Sequence, residues 1–256
     1  MGLTSQSSGF SLLKEKFSIE KKSKDEIIIA LAGNPNTGKS TLFNSLTGLR
    51  QHTGNWPGKT VTNAKGSFKY KDKDFLLIDL PGTYSILANS AEEEVARDFI
   101  CFGHPDLTVV ITDSTCLERN LNLALQVMEI TDNVIVCLNL MDEAKRKGIS
   151  IDIKKLEQLL GVPVIPIIAR DGKGIDDLLE VIYKVVQKEI VPSPYKIKYS
   201  EHIENYVSKV QKRLSDSLYD KLNKRWISLR LLDGDKEILN NIDSILTSRM
   251  SGDIDE

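Results

Sequence analysis

The segment GNPNTGKS at residues 33–40 limits the possible fold of this chain more than any other feature. It matches the phosphate-loop pattern GxxxxGK[ST], and it lies between the apolar run Ile27 to Ala32 and the helix-like segment LFNSLTG. In such a loop, backbone N–H groups and the following helix N-terminus surround phosphate oxygens. The pattern therefore predicts a strand, a phosphate-binding loop and a helix, in that order.

Within this segment Lys39 is expected to neutralise the β and γ phosphate oxygens, and the Ser40 hydroxyl is expected to hold magnesium. The expected phosphate-binding residues are Gly33, Asn34, Pro35, Asn36, Thr37, Gly38, Lys39, Ser40 and Thr41.

The remaining pattern predicts an α/β fold, because short apolar runs alternate with amphipathic helical segments. A mixed, mainly parallel six-stranded sheet flanked by helices is expected, with an extra strand at Ser67–Tyr70 joined to Phe75–Asp79 through KDKD. The other predicted strands are Ile27–Ala32, Leu107–Thr112, Asn133–Asn139 and Val162–Ile168.

The chain divides into three predicted parts. Residues 1–25, rich in Ser and Lys, are expected to be a flexible leader, and residues 26–191 to be the α/β domain. Two prolines in VPSPYK end the last helix of that domain, and residues 195–256 have helical spacing throughout, which predicts a small all-α subdomain. No apolar run is long enough for a membrane span, so a transmembrane region is expected to be absent from this chain.

Composition excludes several classes of function. The net charge of −2 gives no general reason to expect a nucleic-acid partner. The three cysteines, Cys101, Cys116 and Cys137, lack CxxC spacing, which argues against a zinc site or a disulfide framework.

Two further motifs stand at the ends of predicted strands. In DLPG, Asp79 is expected to reach magnesium through water, and the Gly82 N–H to meet a γ-phosphate. NLMD at residues 139–142 matches the guanine-reading NKxD, with Leu140 in place of the lysine. Asp142 can accept hydrogen bonds from the ring N–H and exocyclic amine of guanine, a donor pair that adenine lacks. Together the motifs predict a GTP-binding site at the carboxyl ends of the strands.

The base site is completed by IARDGKG after the last strand, where the Ala169 N–H is expected to bond the guanine carbonyl. The expected base-binding residues are Asn139, Met141, Asp142, Ile168, Ala169 and Arg170.

On these motifs the chain resembles the N-terminal cytosolic part of the bacterial ferrous iron transport protein B (FeoB) family, a Ras-like P-loop GTPase followed by a helical, GDI-like subdomain. The resemblance rests on GNPNTGKSTLFNSLTG, DLPGTYS, LERNLNLALQ, RWISLRLLDGD and, most specifically, TGNWPGKTV at residues 53–61, the first switch loop. Taken without its neighbours, Trp56 could instead be an aromatic residue packed on the domain surface.

The resemblance implies a module of GTP hydrolysis at the cytoplasmic face of the bacterial cell membrane. Its implied partners are its own membrane-spanning iron-transporting region and small accessory iron-transport proteins, with no nucleic acid; a homo-oligomer is left open. This chain would be an isolated part of that protein.

The resemblance also assigns roles around the γ-phosphate. Thr60 is the expected switch threonine that joins magnesium, with Thr62 as the alternative, and Gly54, Asn55 and Trp56 are expected to contact the nucleotide. The expected catalytic residues are Asn36, Lys39, Thr60 and Gly82, and the expected magnesium ligands are Ser40, Thr60 and Asp79.

Neither a glutamine nor an arginine finger is evident near the γ-phosphate. Thr83 follows DLPG where Ras-type GTPases have the glutamine that orients water. We therefore expect a potassium ion to supply the missing charge, held by the Asn36 side chain and by carbonyl groups of Gly54 and Trp56. The alternative for Asn36 is an amide that only braces its own loop.

Two other functions compete with this interpretation. An RNA-associated GTPase would share the Asn of the phosphate loop, but its tail would be expected to show a basic face or a GxxG clamp, which residues 195–256 lack. An ATP-dependent kinase is disfavoured by Asp142.

Overall fold

The computed structural model describes residues 23, 25–48, 51–56, 59–87, 90–214 and 222–235. The predicted leader lies almost entirely outside these ranges, as do Pro57 and Gly58 of the first switch loop and residues 236–256 of the predicted helical subdomain.

The described residues contain a seven-stranded sheet with the order β2-β3-β4-β1-β5-β6-β7. Strands β4, β1, β5, β6 and β7 are parallel to one another, while β3 is antiparallel to both β4 and β2. The mixed, mainly parallel sheet is therefore confirmed. The strands are β1 (Ile27–Gly33), β2 (Gln51–Asn55), β3 (Thr62–Tyr70), β4 (Lys73–Asp79), β5 (Leu107–Asp113), β6 (Val134–Asn139) and β7 (Val164–Pro166).

The predicted count of six strands is wrong by one. The additional strand, β2, forms the edge of the sheet and has the sequence QHTGN, which contains no apolar run. It is held by antiparallel pairing with β3, in which Gly54 lies opposite Asn63. Because a solvent-facing edge strand needs no apolar residues, hydrophobic patterning could not reveal it.

Helices cover the sheet and follow most strands. The described helices are α1 (Lys39–Thr47), α2 (Ala91–Phe102), α3 (Leu117–Ile130), α4 (Met141–Arg146), α5 (Ile153–Leu160), α6 (Ile175–Val186), α7 (Glu201–Gln211) and α8 (Lys224–Asp233), with 3₁₀ turns at Ser114–Cys116 and Ala169–Asp171. Among these described elements, none combines the length and apolar character required to cross a bilayer.

The main core lies between the sheet and its helices. All seven residues of β1 are buried, as expected for a parallel strand that is covered on both faces. Leu42 and Phe43 of α1 belong to the same buried cluster as alternate residues of β1, β4 and β5. This packing places the N-terminus of α1 directly after the carboxyl end of β1.

The described residues form two compact units. One comprises residues 23–100 and 105–196 and contains the sheet; the other comprises residues 101–104 and 197–235 and contains α7 and α8. In the second unit α8 begins after Asn223, whose side chain accepts the Trp226 N–H (3.1 Å), and ends at Gly234 with φ +75°. These caps agree with the turn predicted at DGD.

A two-pronged ion pair joins α7 and α8. Arg225 donates from Nη1 to Glu204 Oε2 (2.6 Å) and from Nη2 to Glu204 Oε1 (2.8 Å), and also to the Ile197 carbonyl (2.8 Å). Hydrogen bonding by Arg225, assisted by the Tyr199 N–H, lowers the pKa of Glu204 to about 2. Arg225 opens the family-like segment RWISLRLLDGD, so this segment has a structural role in the helical unit.

We expect the Glu204→Gln variant to remove the acid sensitivity that this pair creates. The pKa of Glu204 is lower in the folded chain than in the unfolded chain. The ion pair therefore stabilises the unit fully at a pH above the ordinary pKa of a glutamate, and this contribution is lost as the pH falls toward about 2. Solvent screening limits the contribution to about 1 kcal/mol. Urea unfolding at pH 7 and pH 3, followed by Trp226 fluorescence in a Trp56→Phe background, measures it. If the free energy of unfolding changed equally with pH in the unaltered protein and in Glu204→Gln, the prediction would be contradicted.

Candidate nucleotide-binding site

The phosphate loop connects β1 to α1. Two residues of the loop have left-handed backbone conformations, Asn36 with φ +65° and Gly38 with φ +84°. The Thr37 hydroxyl donates to the Asn34 carbonyl (2.9 Å) and closes the turn. Left-handed residues within such a turn direct successive N–H groups toward one point, which suits an anion at the N-terminus of α1.

Polar side chains of the loop differ in their surroundings. Asn36 is exposed and forms no hydrogen bond with any residue that the structure describes. Asn34 is buried, and neither its amide nitrogen nor its oxygen has a partner among the described residues. Ser40 and Thr41 are exposed in the first turn of α1. The loop therefore retains unused polar groups that a ligand or water can satisfy.

DLPG lies directly beside the phosphate loop. A Cβ atom added to Gly82 would lie 3.3 Å from Pro35 Cα, so the two backbones are in close contact. The Thr83 N–H donates to the Gly33 carbonyl (3.3 Å), and Leu80 bonds similarly to Leu31 (3.0 Å). These contacts fix the position of the Gly82 backbone relative to the loop.

Lys39 and Asp79 form an ion pair across the site. Burial raises the pKa of Asp79, and the Lys39 ammonium group opposes that rise. Asp79 ends β4 and pairs with Leu31 of β1, which explains why the carboxylate lies next to the first turn of α1. A phosphate that binds Lys39 must therefore compete with Asp79 for the ammonium group.

Asn139, the last residue of β6, joins two parts of the site. Its Nδ2 donates to the Thr37 carbonyl (2.9 Å), and its Oδ1 accepts the Ala169 N–H (3.0 Å). The side chain is 2% exposed, so both bonds are buried. Asn139 thus binds the phosphate loop to the turn after β7. The sequence analysis expected the Ala169 N–H to bond a guanine carbonyl. In this structure the same N–H donates to Asn139.

The expected base-reading residues follow β6 and β7. Asp142 lies in the first turn of α4, where its Oδ2 accepts from Arg170 Nη2 (3.0 Å) and lies 3.5 Å from Arg146 Nη2. Its Oδ1 is buried and has no hydrogen-bond partner among the described residues. An unsatisfied carboxylate oxygen beside an occupied one fits the paired donors of guanine. Ile168 bonds to the Lys173 carbonyl, and Met141 Sδ accepts from the Ser114 hydroxyl (3.2 Å).

The first part of the first switch loop forms the edge strand of the sheet in this structure. Gly54 and Asn55 belong to β2, which is separated from β1 by two strands and is therefore about 14 Å from it. The Trp56 carbonyl accepts the Lys59 N–H (3.0 Å), and Thr60 is exposed in the same turn. The expected potassium ligands Asn36 and Gly54 are therefore not brought together in this conformation, because pairing with β3 holds Gly54 in the sheet.

The turn after β2 is held by contacts that the sequence did not predict. Trp56 is buried, with its ring 5.3 Å from that of Phe99, and Lys59 forms an ion pair with Glu94. Both partners lie on α2. The Trp56 side chain therefore has a packing role, and it is not an aromatic residue on the domain surface. The run of charged residues in AEEEVARD at residues 91–98 gave no signal of this contact, because it is typical of a solvated helix face.

The residues present fit a magnesium–guanine nucleotide complex. Ser40 and Asp79 offer the oxygen ligands that magnesium prefers, and Lys39 offers the phosphate charge.

Comparison with known proteins agrees with this geometry. The sequence profile of ferrous iron transport protein B matches residues 27–182, and that of the FeoB cytosolic helical domain matches residues 199–255. The chain belongs to the ferrous iron transport protein B family.

Solved FeoB structures share this fold at substantial identity. The cytosolic domain of the T. maritima FeoB iron transporter in its GMPPNP form is 38% identical with a TM-score of 0.78, and the alignment covers 86% of both chains. The FeoB G-domain from Methanococcus jannaschii is 48% identical with a TM-score of 0.57, over 64% of this chain and 99% of that one. The Ras-like fold is thus confirmed for this FeoB chain.

Longer FeoB proteins are similar to this chain over only part of their length. The Fe(2+) transporter FeoB of Escherichia coli K12 is 39% identical over 82% of this chain, but the alignment covers 27% of the transporter. A Porphyromonas gingivalis protein that fuses Fe(2+) transport protein A to FeoB is 36% identical, over 88% of this chain and 27% of its own length. This FeoB chain therefore spans about a quarter of the length of these relatives.

We expect Gly38→Ala to disrupt nucleotide binding in this FeoB chain and Gly48→Ala to leave it intact. Both glycines have positive φ, so either change strains the backbone by about 1–2 kcal/mol. Only at Gly38 would the added Cβ lie 2.2 Å from Asn139 Nδ2; at Gly48 nothing lies within 4 Å. Breaking the buried Asn139 bonds should lower GDP affinity about tenfold or more.

Titration with a fluorescent GDP analogue and thermal unfolding of both variants measure these effects. We expect both variants to lose similar stability, and only Gly38→Ala to lose affinity for GDP. Equal affinities in the two variants would show that Asn139 does not organise the site.

Proposed function

We propose that this chain binds GTP and hydrolyses it to GDP and phosphate, and that this turnover regulates or drives ferrous iron uptake through a membrane region outside this sequence. The observation that carries the proposal is the convergence of three motifs at the ends of β1, β4 and β6. The Lys39–Asp79 ion pair joins DLPG to the phosphate loop, and the buried Asn139 side chain joins NLMD to the same loop. Relatives support the proposal, because solved FeoB cytosolic domains have GDP and GMPPNP forms.

Each part of the nucleotide has candidate partners in this chain. Lys39 binds the β and γ oxygens after it separates from Asp79, and backbone N–H groups of residues 34–41 surround the phosphates. Asp142 accepts the guanine donors with its free Oδ1 and with Oδ2, which Arg170 already polarises. Ser40, Thr60 and, through water, Asp79 would hold magnesium, which would supply positive charge next to the β and γ phosphates.

Hydrolysis needs a water molecule and a compensating cation. The Thr83 side chain is too short to orient that water as a glutamine would, so backbone groups near Gly82 take this role. Potassium is the proposed cation, with ligands from the Asn36 amide oxygen and the Gly54 and Trp56 carbonyl groups. Asn36 is suited to this because its side chain is exposed and is not engaged in bracing its own loop. Gly54 can take part only after it leaves its pairing with β3.

GTP turnover in potassium against sodium tests the cation. We expect faster hydrolysis in potassium for the unaltered chain, and equal rates in the two salts for Asn36→Ala, because the amide oxygen is lost. A bound cation replaces part of the effect of an arginine finger, which is worth roughly 10³ to 10⁵ in rate.

ATP serves as the control nucleotide in the same assay, since Asp142 should exclude it. GTP turnover that is equal in both salts with Asn36 intact would remove the potassium proposal. ATP turnover as fast as that of GTP would remove the guanine assignment.

The proposed domains are a GTPase domain at residues 26–191 and a helical subdomain at residues 195–256. Family membership and the length of the relatives support a location at the cytoplasmic face of the cell membrane, next to the transporter region of the same protein. The Porphyromonas fusion supports a small accessory iron-transport protein as a partner. A homo-oligomer is a further proposal that follows from the family alone.

A chimera tests the link to iron. This chain replaces the matching segment of the E. coli transporter in a strain that lacks ferrous iron uptake, and uptake of radioactive ferrous iron is measured. We expect uptake with the unaltered segment and none with Lys39→Ala, because phosphate binding is lost. Uptake that is independent of Lys39 would contradict a role for GTP.

A further inference from the structure

The segment LERNLNLALQ on α3 contacts the loop that follows DLPG, residues 83–87. Gln126 Oε1 accepts both the Ile86 N–H (2.9 Å) and the Ser85 hydroxyl (3.2 Å). The guanidinium carbon of Arg119 lies 4.1 Å from the centre of the Tyr84 ring. Three successive residues of the loop are therefore held by two side chains of one helix.

The spacing of these two side chains follows from helix geometry. Arg119 and Gln126 are seven residues apart, which places them two turns apart on the same face of α3. Ala124 and Met128, on the opposite side of the helix, and Val127 on its flank are buried, and they fix the helix in the core. The pair is thus displayed on a rigid support.

The start of α3 is also fixed. The Asn120 side chain accepts the Asp113 N–H (3.3 Å) and donates to the Cys116 carbonyl (3.0 Å), and it is 2% exposed. These bonds join the end of β5 to the first turn of α3. Arg119 lies next to this buried amide, so its backbone position is set by the sheet.

Arg119 is directed to the aromatic ring and not to a carboxylate. It makes no ion pair with any residue in the described ranges, whereas its guanidinium lies over Tyr84, a cation–π arrangement that arginine favours. Tyr84 is 47% exposed, so its ring is only partly covered and the guanidinium adds to its support.

The position of this loop matters because of Thr83. If the proposed GTP hydrolysis is correct, no side chain at residue 83 can orient the attacking water, and the backbone around Gly82 must do so. A backbone that positions a reactant needs support from groups outside the site. On the upstream side the support is the contact with Pro35 and the Thr83 bond to Gly33.

We propose that Arg119 and Gln126 are positioning residues for GTP hydrolysis, which hold residues 84–86 and thereby set the backbone at Gly82 and Thr83. This assignment rests on the proposed GTPase function. It gives the family-like segment LERNLNLALQ a role in catalysis that does not involve contact with the nucleotide.

Conservative and disruptive variants separate positioning from general stability. Gln126→Met removes the acceptor at nearly constant size, while Gln126→Glu keeps it; Arg119→Met removes the cation, while Arg119→Lys keeps one. We expect the kcat for GTP to fall about tenfold for Gln126→Met and about threefold for Arg119→Met, as expected for the loss of one hydrogen-bonded or cation–π contact. The Glu and Lys variants should recover most of the rate.

Matched controls are present in the chain. Gln158 on α5 and Arg213 after α7 are exposed, and neither side chain forms a hydrogen bond or ion pair with another residue that the structure describes. Gln158→Met and Arg213→Met should leave kcat unchanged. In all variants the affinity for GDP and the melting temperature should match those of the unaltered chain.

Hydrogen exchange tests the contact independently of turnover. In the unaltered chain the Ile86 amide should be protected, and Gln126→Met should remove this protection while Gln126→Glu retains it. Absence of GTP turnover in the unaltered chain, with this exchange pattern intact, would overturn the proposed function and the catalytic role together but leave the contact established. Unchanged exchange in Gln126→Met, an unchanged or increased kcat, or equal effects in the control variants would overturn the positioning role itself.

Discussion

The candidate site depends on one buried side chain, the amide of Asn139. Its donor binds the phosphate loop at Thr37, and its acceptor binds the turn after β7 at Ala169. A buried amide that loses one partner costs the desolvation of the group left unpaired, about 1–3 kcal/mol. The two loops are therefore held in one relative position, and Gly38 must lack a side chain because a Cβ there would occupy the space of the amide.

The charged groups around this amide neutralise one another in the described conformation. Lys39 is paired with Asp79, and Asp142 with Arg170. Each pair contains one group that a guanine nucleotide would also bind, so the site can bury charge without a ligand and still exchange partners when one enters. Such pairing avoids the large cost of an isolated buried charge. At Asp79 the cost of burying the charge and the benefit of the ion pair act in opposite directions, because burial raises its pKa while Lys39 opposes the rise.

Two helices hold the loops that would respond to the γ-phosphate. The turn after β2 contacts α2 through Trp56 and Lys59, whereas the loop after DLPG contacts α3 at Tyr84, Ser85 and Ile86. Both helices are fixed by apolar residues that pack in the core. The two loops are thus attached to the helices by a few polar and aromatic contacts, which can break without disturbing the sheet.

Much of the fold and part of the site could be predicted from local patterns in the chain. The continuous apolar runs predicted the inner strands, because a parallel strand covered on both faces has no polar alternation. The apolar residues of Leu117–Ile130 repeat at helical spacing, and this segment forms a helix over those residues. The edge strand β2 was missed because pairing with β3 maintains it and its own side chains do not.

Local patterns in the chain are sufficient to name the candidate ligands of a nucleotide. The order of GNPNTGKS, DLPG and NLMD, each after an apolar run, places candidate phosphate, magnesium and base ligands at the same edge of the sheet. How those groups are paired and supported depends on contacts between elements of the tertiary structure. Three sets of contacts join residues that are distant in sequence or lie on different elements. Asn139 bridges two loops, Arg170 binds Asp142, and Arg119 and Gln126 contact the loop after DLPG. Motifs specify chemistry through residue type and local backbone, whereas such contacts depend on how helices and strands pack, which no local pattern contains.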